Sequence, residues 1–148
     1  MVNPLDPRTV LLAKHAQHVV LIHFPIALFM SGVAFDLISR GRPTSSWASA
    51  AYLNLTAAAI TVFPALGTGL LAWQFALGGK RLKGLLLLHL VAGGCTALLL
   101  VVIWMLHWRV RKTGKMMLPR YRISLELLGV ALIALTAHLG GFLSGVNS

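Results

Sequence analysis

Charge is scarce in this chain, and acid is scarcer still. Only 11% of its 148 residues are charged, with 13 Lys and Arg against 3 Asp and Glu. Soluble domains carry about 25% charged residues. That shortage, with 57% hydrophobic residues and a mean hydropathy of +0.82, excludes the soluble class. The net charge of +10 does not indicate a nucleic-acid partner, because the cations form no continuous stripe. They cluster at the ends of apolar segments, where cations meet phospholipid headgroups and set topology. Cysteine is almost absent, and the lone Cys95 excludes an intrachain disulfide. Its mid-segment place reads as that of a small buried apolar residue.

Other absences narrow the function. The start, MVNPLDPRTVLLAK, sets two prolines and an acid before any apolar core, unlike a cleavable signal peptide. No nucleophile–base pair suited to hydrolysis is present. There is no convincing inverted repeat and no charged pore stripe, which ranks a transporter or channel last.

What is present is long and apolar. A helix crossing the bilayer needs about 20 mostly apolar residues, and four stretches qualify: 19–38, 48–77, 85–108 and 123–143. The expected fold is all-α, a single-domain integral membrane four-helix bundle with both termini on one side. Residues 7–18 add a possible interfacial helix. Trp47, Tyr52, Trp73, Trp104, Trp108 and Tyr121 lie near span ends, as an aromatic belt requires.

Each span carries small or polar residues at helical spacing, read as the inside of the bundle because small residues let membrane helices approach closely. These faces are His23, Ala27, Ser31 and Ala34; Asn54, Ala58, Thr61, Ala65 and Thr68; His89, Gly93 and Thr96; and Ala131, Ala134, His138, Gly141 and Gly145. Arg8, Lys14, Lys80, Arg81 and Lys83 share the side of the termini. Arg40, Arg42, Arg109, Arg111, Lys112, Lys115, Arg120 and Arg122 lie opposite. The positive-inside rule therefore places the termini outside the cytoplasm.

With chain direction alternating, His23, His89 and His138 fall within about 8 Å of one interface at 1.5 Å rise per residue. His15 and His18 lie on the approach, and only His107 is at the far end. Neutral imidazole is a common metal ligand and an axial ligand of haem. Three on separate helices at one depth point to a site, with haem first and copper or zinc after it. Gly93, Ala27 and Ala134 would give a macrocycle clearance, and Lys80, Arg81 and Lys83 would meet its propionates. The competing reading makes each histidine polar glue between helices. No cysteine or acid lies near, which counts against a structural zinc.

The acids sort to the other interface. Asp36 has Arg40, and Glu126 has Arg122, at i,i+4 spacing. They read either as a proton or ion relay or, preferred here, as snorkelling pairs that anchor helix ends. Pro25 and Pro64 mark bends or a helix start. Gln74, the polar amide at the histidine end of span two, reads as a supporting partner for a ligand histidine or, preferred here, as an interface-exposed residue.

The segments HFPIALFMSGVAFDLIS, FPALGTGLLAW and LGGFLSGV, with a histidine opening span three, resemble the bacterial domain-of-unknown-function 2231 family of predicted membrane proteins. The most specific part is His23, Phe24 and Pro25 with Asp36 closing the same span; His89 matches a family histidine. Where the family carries an acid before the tryptophan of span two this chain has Ala72, and after the Gly-Gly of span four it has Phe142. The resemblance implies four transmembrane helices in a bacterial inner membrane. Members joined to Rieske-type iron–sulfur domains imply an electron-transfer setting.

The leading expectation is a small haem-b electron-transfer protein with bis-histidine ligation by His23 and His89. His138, His18 and His15 are alternates, and His23, His89 and His138 are the candidate metal ligands. It is an electron carrier or accessory subunit rather than a stand-alone enzyme. The alternatives are a cofactor-free structural or assembly subunit, or a copper-binding or transport protein. The expected partners are the lipid bilayer, other membrane subunits or a redox partner, and a second copy of the chain.

Overall fold

A computed structural model describes residues 14–40, 42, 45–113 and 118–145, without the side chains of residues 14, 15 and 76. Four helices account for nearly all of them: α1 (Lys14–Ile38), α2 (Ser46–Leu71), α3 (Gly84–Lys112) and α4 (Arg122–Leu143). Each is long and apolar enough to cross a membrane. No strand occurs among the described residues. In a bilayer this follows from the backbone, since a helix satisfies its N–H and C=O groups internally where no water can.

Local chemistry sets the ends. Ser45 caps α2, its Oγ accepting from Ala48 N–H at 3.2 Å. Arg109, Arg111 and Lys112 occupy the last turn of α3, where cations complement the helix dipole. α2 runs on into a π-helical turn, Ala72–Ala76. Gly78 and Gly79, at φ of +60° and +61°, then reverse the chain in a conformation that favours glycine. The Trp73 indole N–H closes this turn by donating to Lys80 O at 2.8 Å.

α1 begins five residues before the expected span, so residues 14–18 continue that helix rather than forming a separate interfacial one. Residues 7–13 lie outside the described residues. Pro25 is therefore interior to α1 and Pro64 interior to α2.

The core is a column of Phe29, Val33, Leu55, Ala58, Val62, Ala97, Leu100, Ile103 and Ile133. Two glycines permit its closest approaches. A Cβ on Gly32 would lie 2.9 Å from the Leu55 side chain, and one on Gly129 would lie 2.7 Å from Phe29 Cζ. Large apolar residues such as Leu53, Ile60, Phe63 and Leu98 point outward, as suits a lipid-facing surface.

The inward faces differ from expectation on two helices. Those of α2 and α3 point inward, with Ala58, Ala65 and Thr96 buried. On α1, however, His23, Ala27 and Ala34 are exposed, and on α4 so are Ala131, Ala134 and His138. These helices dock instead through Phe29 against Gly129, and through the charged pair Asp36 and Arg122. α1 packs mainly on α2 and α4 mainly on α3, with Gly32 against Leu55 and Gly140 against His89, and those two seams leave the alanine stripes outside. Cys95 is likewise exposed, because Ala92, Thr96 and Ala97 set the buried face of α3.

Candidate functional site

At one end of the bundle the last turn of α1, the last turns of α3 and the first turns of α4 converge. They bring together Asp36, His107, Arg122 and Glu126, exposed by only 1%, 3%, 9% and 0%. Arg122 Nε donates to Asp36 Oδ2 at 2.8 Å. His107 Nε2 and Glu126 Oε1 lie 3.0 Å apart and share a hydrogen bond in which the donor depends on the imidazole tautomer. One ligand atom from each of Asp36, His107 and Glu126 lies within 4.8 Å of the others. Glu126 Oε2 is buried without a hydrogen-bond partner. Removing a charge from water costs several kcal/mol even after relaxation, so four ionisable groups buried in one place are expensive in this setting.

These pairings correct the sequence expectation. Asp36 pairs with Arg122 rather than Arg40, and Glu126 bonds His107 rather than Arg122. α1 ends at Ile38, so no helical turn carries Arg40 back over Asp36, and Arg40 is exposed. Arg122, one turn from Glu126, reaches across to α1 instead.

A sequence signal for this cluster exists. Alternating chain direction, which sets three histidines at one depth, also sets Asp36, His107 and Glu126 at one depth. The signal is masked because each acid already has a cation four residues away, and because His107 stands apart from the other histidines.

At the opposite end the histidines are distributed, not gathered. His18 Nδ1 donates to Ala65 O at 3.1 Å, with Thr68 Oγ1 at 3.3 Å. His89 Nδ1 donates to Thr136 O at 3.1 Å. The exposed His23 donates from Nδ1 to Val19 O on its own helix at 2.6 Å. His138 meets the Phe142 ring edge-on at 4.9 Å. The His15 side chain is outside the described residues' side chains. Gly69 and Gly140 leave room for two of these rings: a Cβ there would lie 3.0 Å from His18 Cε1 and 3.1 Å from His89 Cε1. Lys80, Arg81 and Lys83 lie exposed on the linker at this end, and Gln74 is exposed as well. Of groups of three or more potential metal ligands, the described residues bring together Asp36, His107 and Glu126. They do not gather His23, His89 and His138 in that way.

Between the two ends the α3–α4 seam is polar as far as Thr96 and Thr136, whose hydroxyls lie 3.1 Å apart. It then turns apolar through Leu100, Ile103 and Ile133 before reaching His107 and Glu126. Near the charged end, Trp104 Nε1 donates to Thr56 Oγ1 at 3.1 Å. The Arg111 guanidinium lies 4.5 Å from the Tyr52 ring centroid. These contacts place aromatic and cationic groups at that interface, as a belt does.

A family model described as a predicted membrane protein (DUF2231) matches residues 14–146. Searches of curated proteins and of solved structures gave no significant match.

Proposed function

The chain belongs to the DUF2231 family of predicted membrane proteins, and we propose that it binds and exchanges a cation at Asp36, His107 and Glu126 near one face of the bilayer. The observation that carries this reading is the orphaned Glu126 Oε2, an acceptor atom buried without a donor. A group whose only task was to anchor a helix end would be satisfied or wet, since leaving a buried acceptor unmet costs about 1–3 kcal/mol. Buried ionisable groups in membrane helices ordinarily mark ion or proton sites. The proposed setting is a bacterial inner membrane with both termini outside the cytoplasm, so that the cluster lies toward the cytoplasm. Basic residues support that orientation, although Arg122 is neutralised by Asp36 and no longer counts toward it.

The test is thermal unfolding of the full chain in lipid nanodiscs across pH and with added Zn²⁺, Mn²⁺ or Na⁺. A ligand bound only by the folded state raises stability by mass action. The melting temperature of the wild type should depend on proton or metal concentration, and Glu126→Gln should remove that dependence. A wild type indifferent to every cation, or a Glu126→Gln variant with the same response, overturns the reading.

A second reading keeps haem b and electron transfer at the other end. It is favoured by the tautomers of His23 and His89. Each donates Nδ1–H to a carbonyl, leaving the Nε2 lone pair available, the arrangement metal-ligating histidines adopt. With His23, Ala27 and Ala134 exposed, a haem there would lie against the outer face of the bundle, within reach of a redox partner. Copper at the same imidazoles is the variant of this reading. Absorption spectroscopy and metal analysis of protein purified from haem- and copper-supplied cells decide it. A Soret band lost in His23→Ala and His89→Ala supports haem, and a colourless, metal-free protein rules out both cofactors.

A further inference from the structure

We propose that the cation is a single proton, shared by Glu126 and His107 and exchanged with the face of the membrane at which α1 and α3 end and α4 begins. The inference rests on the cation-site reading above and names its ligand. Charge counting comes first. With Asp36 and Glu126 ionised, Arg122 cationic and His107 neutral, the cluster carries one net negative charge. One added proton restores neutrality. A divalent metal would instead leave a net positive charge beside a guanidinium, and an uncompensated buried charge is strongly unfavourable.

The hydrogen bonds agree with this count. Asp36 is engaged by Arg122 at 2.8 Å, so a metal would have to displace a charge-assisted bond to gain that ligand. His107 Nε2 and Glu126 Oε1 are already at hydrogen-bond distance, 3.0 Å, so a proton added to either group stays within reach of the other. Three protein ligands would also leave a metal one short of a closed tetrahedral shell. The groups facing Glu126 are Asp36 from α1, His107 from α3 and Arg122 from its own helix. α2 contributes no Asp, Glu, His, Lys or Arg at all.

Position decides the direction of exchange. His107 lies about one and a half turns from the end of α3, and Glu126 about one turn from the start of α4. On the other side Phe29, fully buried, fills the notch at Gly129 beside Ile103. That apolar layer separates the pair from Thr96 and Thr136. A proton from water at that end of the helices therefore has the short route. It adds to Glu126 or to the His107 ring and leaves the same way, with no bond to carbon made or broken.

Glu126 is the sole glutamate in the chain, so one carboxyl carbon reports on it. Full-length protein labelled with ¹³C at the glutamate carboxyl and ¹⁵N in histidine, in nanodiscs at neutral pH, should show one proton held by the pair. Glu126→Gln should leave the His107 ring neutral, whereas His107→Gln should leave the Glu126 carboxyl protonated. An ionised Glu126 beside a neutral His107 in the wild type overturns the proposal, and that measurement needs no variant to fold. Stoichiometric Zn²⁺ or Mn²⁺ that survives dialysis in the wild type but not in Asp36→Asn overturns the proton assignment while the cation site stands. Neither proton nor metal overturns both.

Discussion

Arg122 on α4 holds Asp36 on α1 through a 2.8 Å hydrogen bond between side chains exposed by only 10% and 2%. Residues 86 positions apart are thus tied at one end of the bundle. Removing one partner strands the other charge, which costs about 3–5 kcal/mol, whereas replacing both with apolar groups can be neutral. Asp36→Leu and Arg122→Leu should each lower stability by about that amount, and the double variant should recover most of the loss. A double-mutant cycle of unfolding in detergent checks it, and additive losses would show that the pair does not act as a unit.

Phe29 and Gly129 form a junction with no room to spare. A methyl group at Gly129 would lie 2.7 Å from Phe29 Cζ and 3.0 Å from Cε1. Gly129→Ala should therefore cost about 1–3 kcal/mol through overpacking. In a Phe29→Leu background the same change should cost much less. Unfolding midpoints of the four proteins measure the coupling.

His89 docks in a similar way, its ring lying over Gly140 while Nδ1 donates to Thr136 O. Gly140→Val should displace the ring and break that hydrogen bond, lowering stability by about 1 kcal/mol. Adding His89→Ala to Gly140→Val should then change little. Gly67, where an added Cβ would meet nothing within 4 Å, is the control: Gly67→Ala should be neutral or stabilising by up to about 1 kcal/mol. Equal losses at Gly67 and Gly140 would refute the packing account.

Orientation is open to a direct check. In a Cys95→Ala background, Lys83→Cys should react with a membrane-impermeant maleimide added to intact cells. Arg42→Cys should react only after lysis. The reverse pattern would place the buried cluster toward the outside of the cell, because Asp36 and Arg42 lie at the same end of α1.

The four spans were legible because hydropathy and length are properties of a segment, and a lipid solvent demands that each segment satisfy its own backbone. Helix direction, and hence which residues share a depth, followed from the short linkers. The charge pairs were not legible in the same way. Asp36 had a cation four residues on, yet α1 ended before that spacing could matter. Nor did the small faces of α1 and α4 reveal their orientation: a stripe of alanines can approach a neighbour or face lipid at similar cost, since hydrocarbon is as apolar as the helix.

By itself the sequence determined that this is a membrane chain of four apolar helices, with most of its histidines toward one end and Asp36 and Glu126 toward the other. It determined this through composition, span length and chain direction, which need no knowledge of neighbours. Only the tertiary structure decided that Asp36 pairs with Arg122, that Glu126 and His107 share a hydrogen bond, and that His23 and His138 lie on the outside. Those outcomes depend on helix rotation. Rotation is set here by close fits between neighbours, Gly32 on Leu55, Gly140 on His89 and Gly129 on Phe29, and by buried charges that must find one another, and no pattern along a single helix records either.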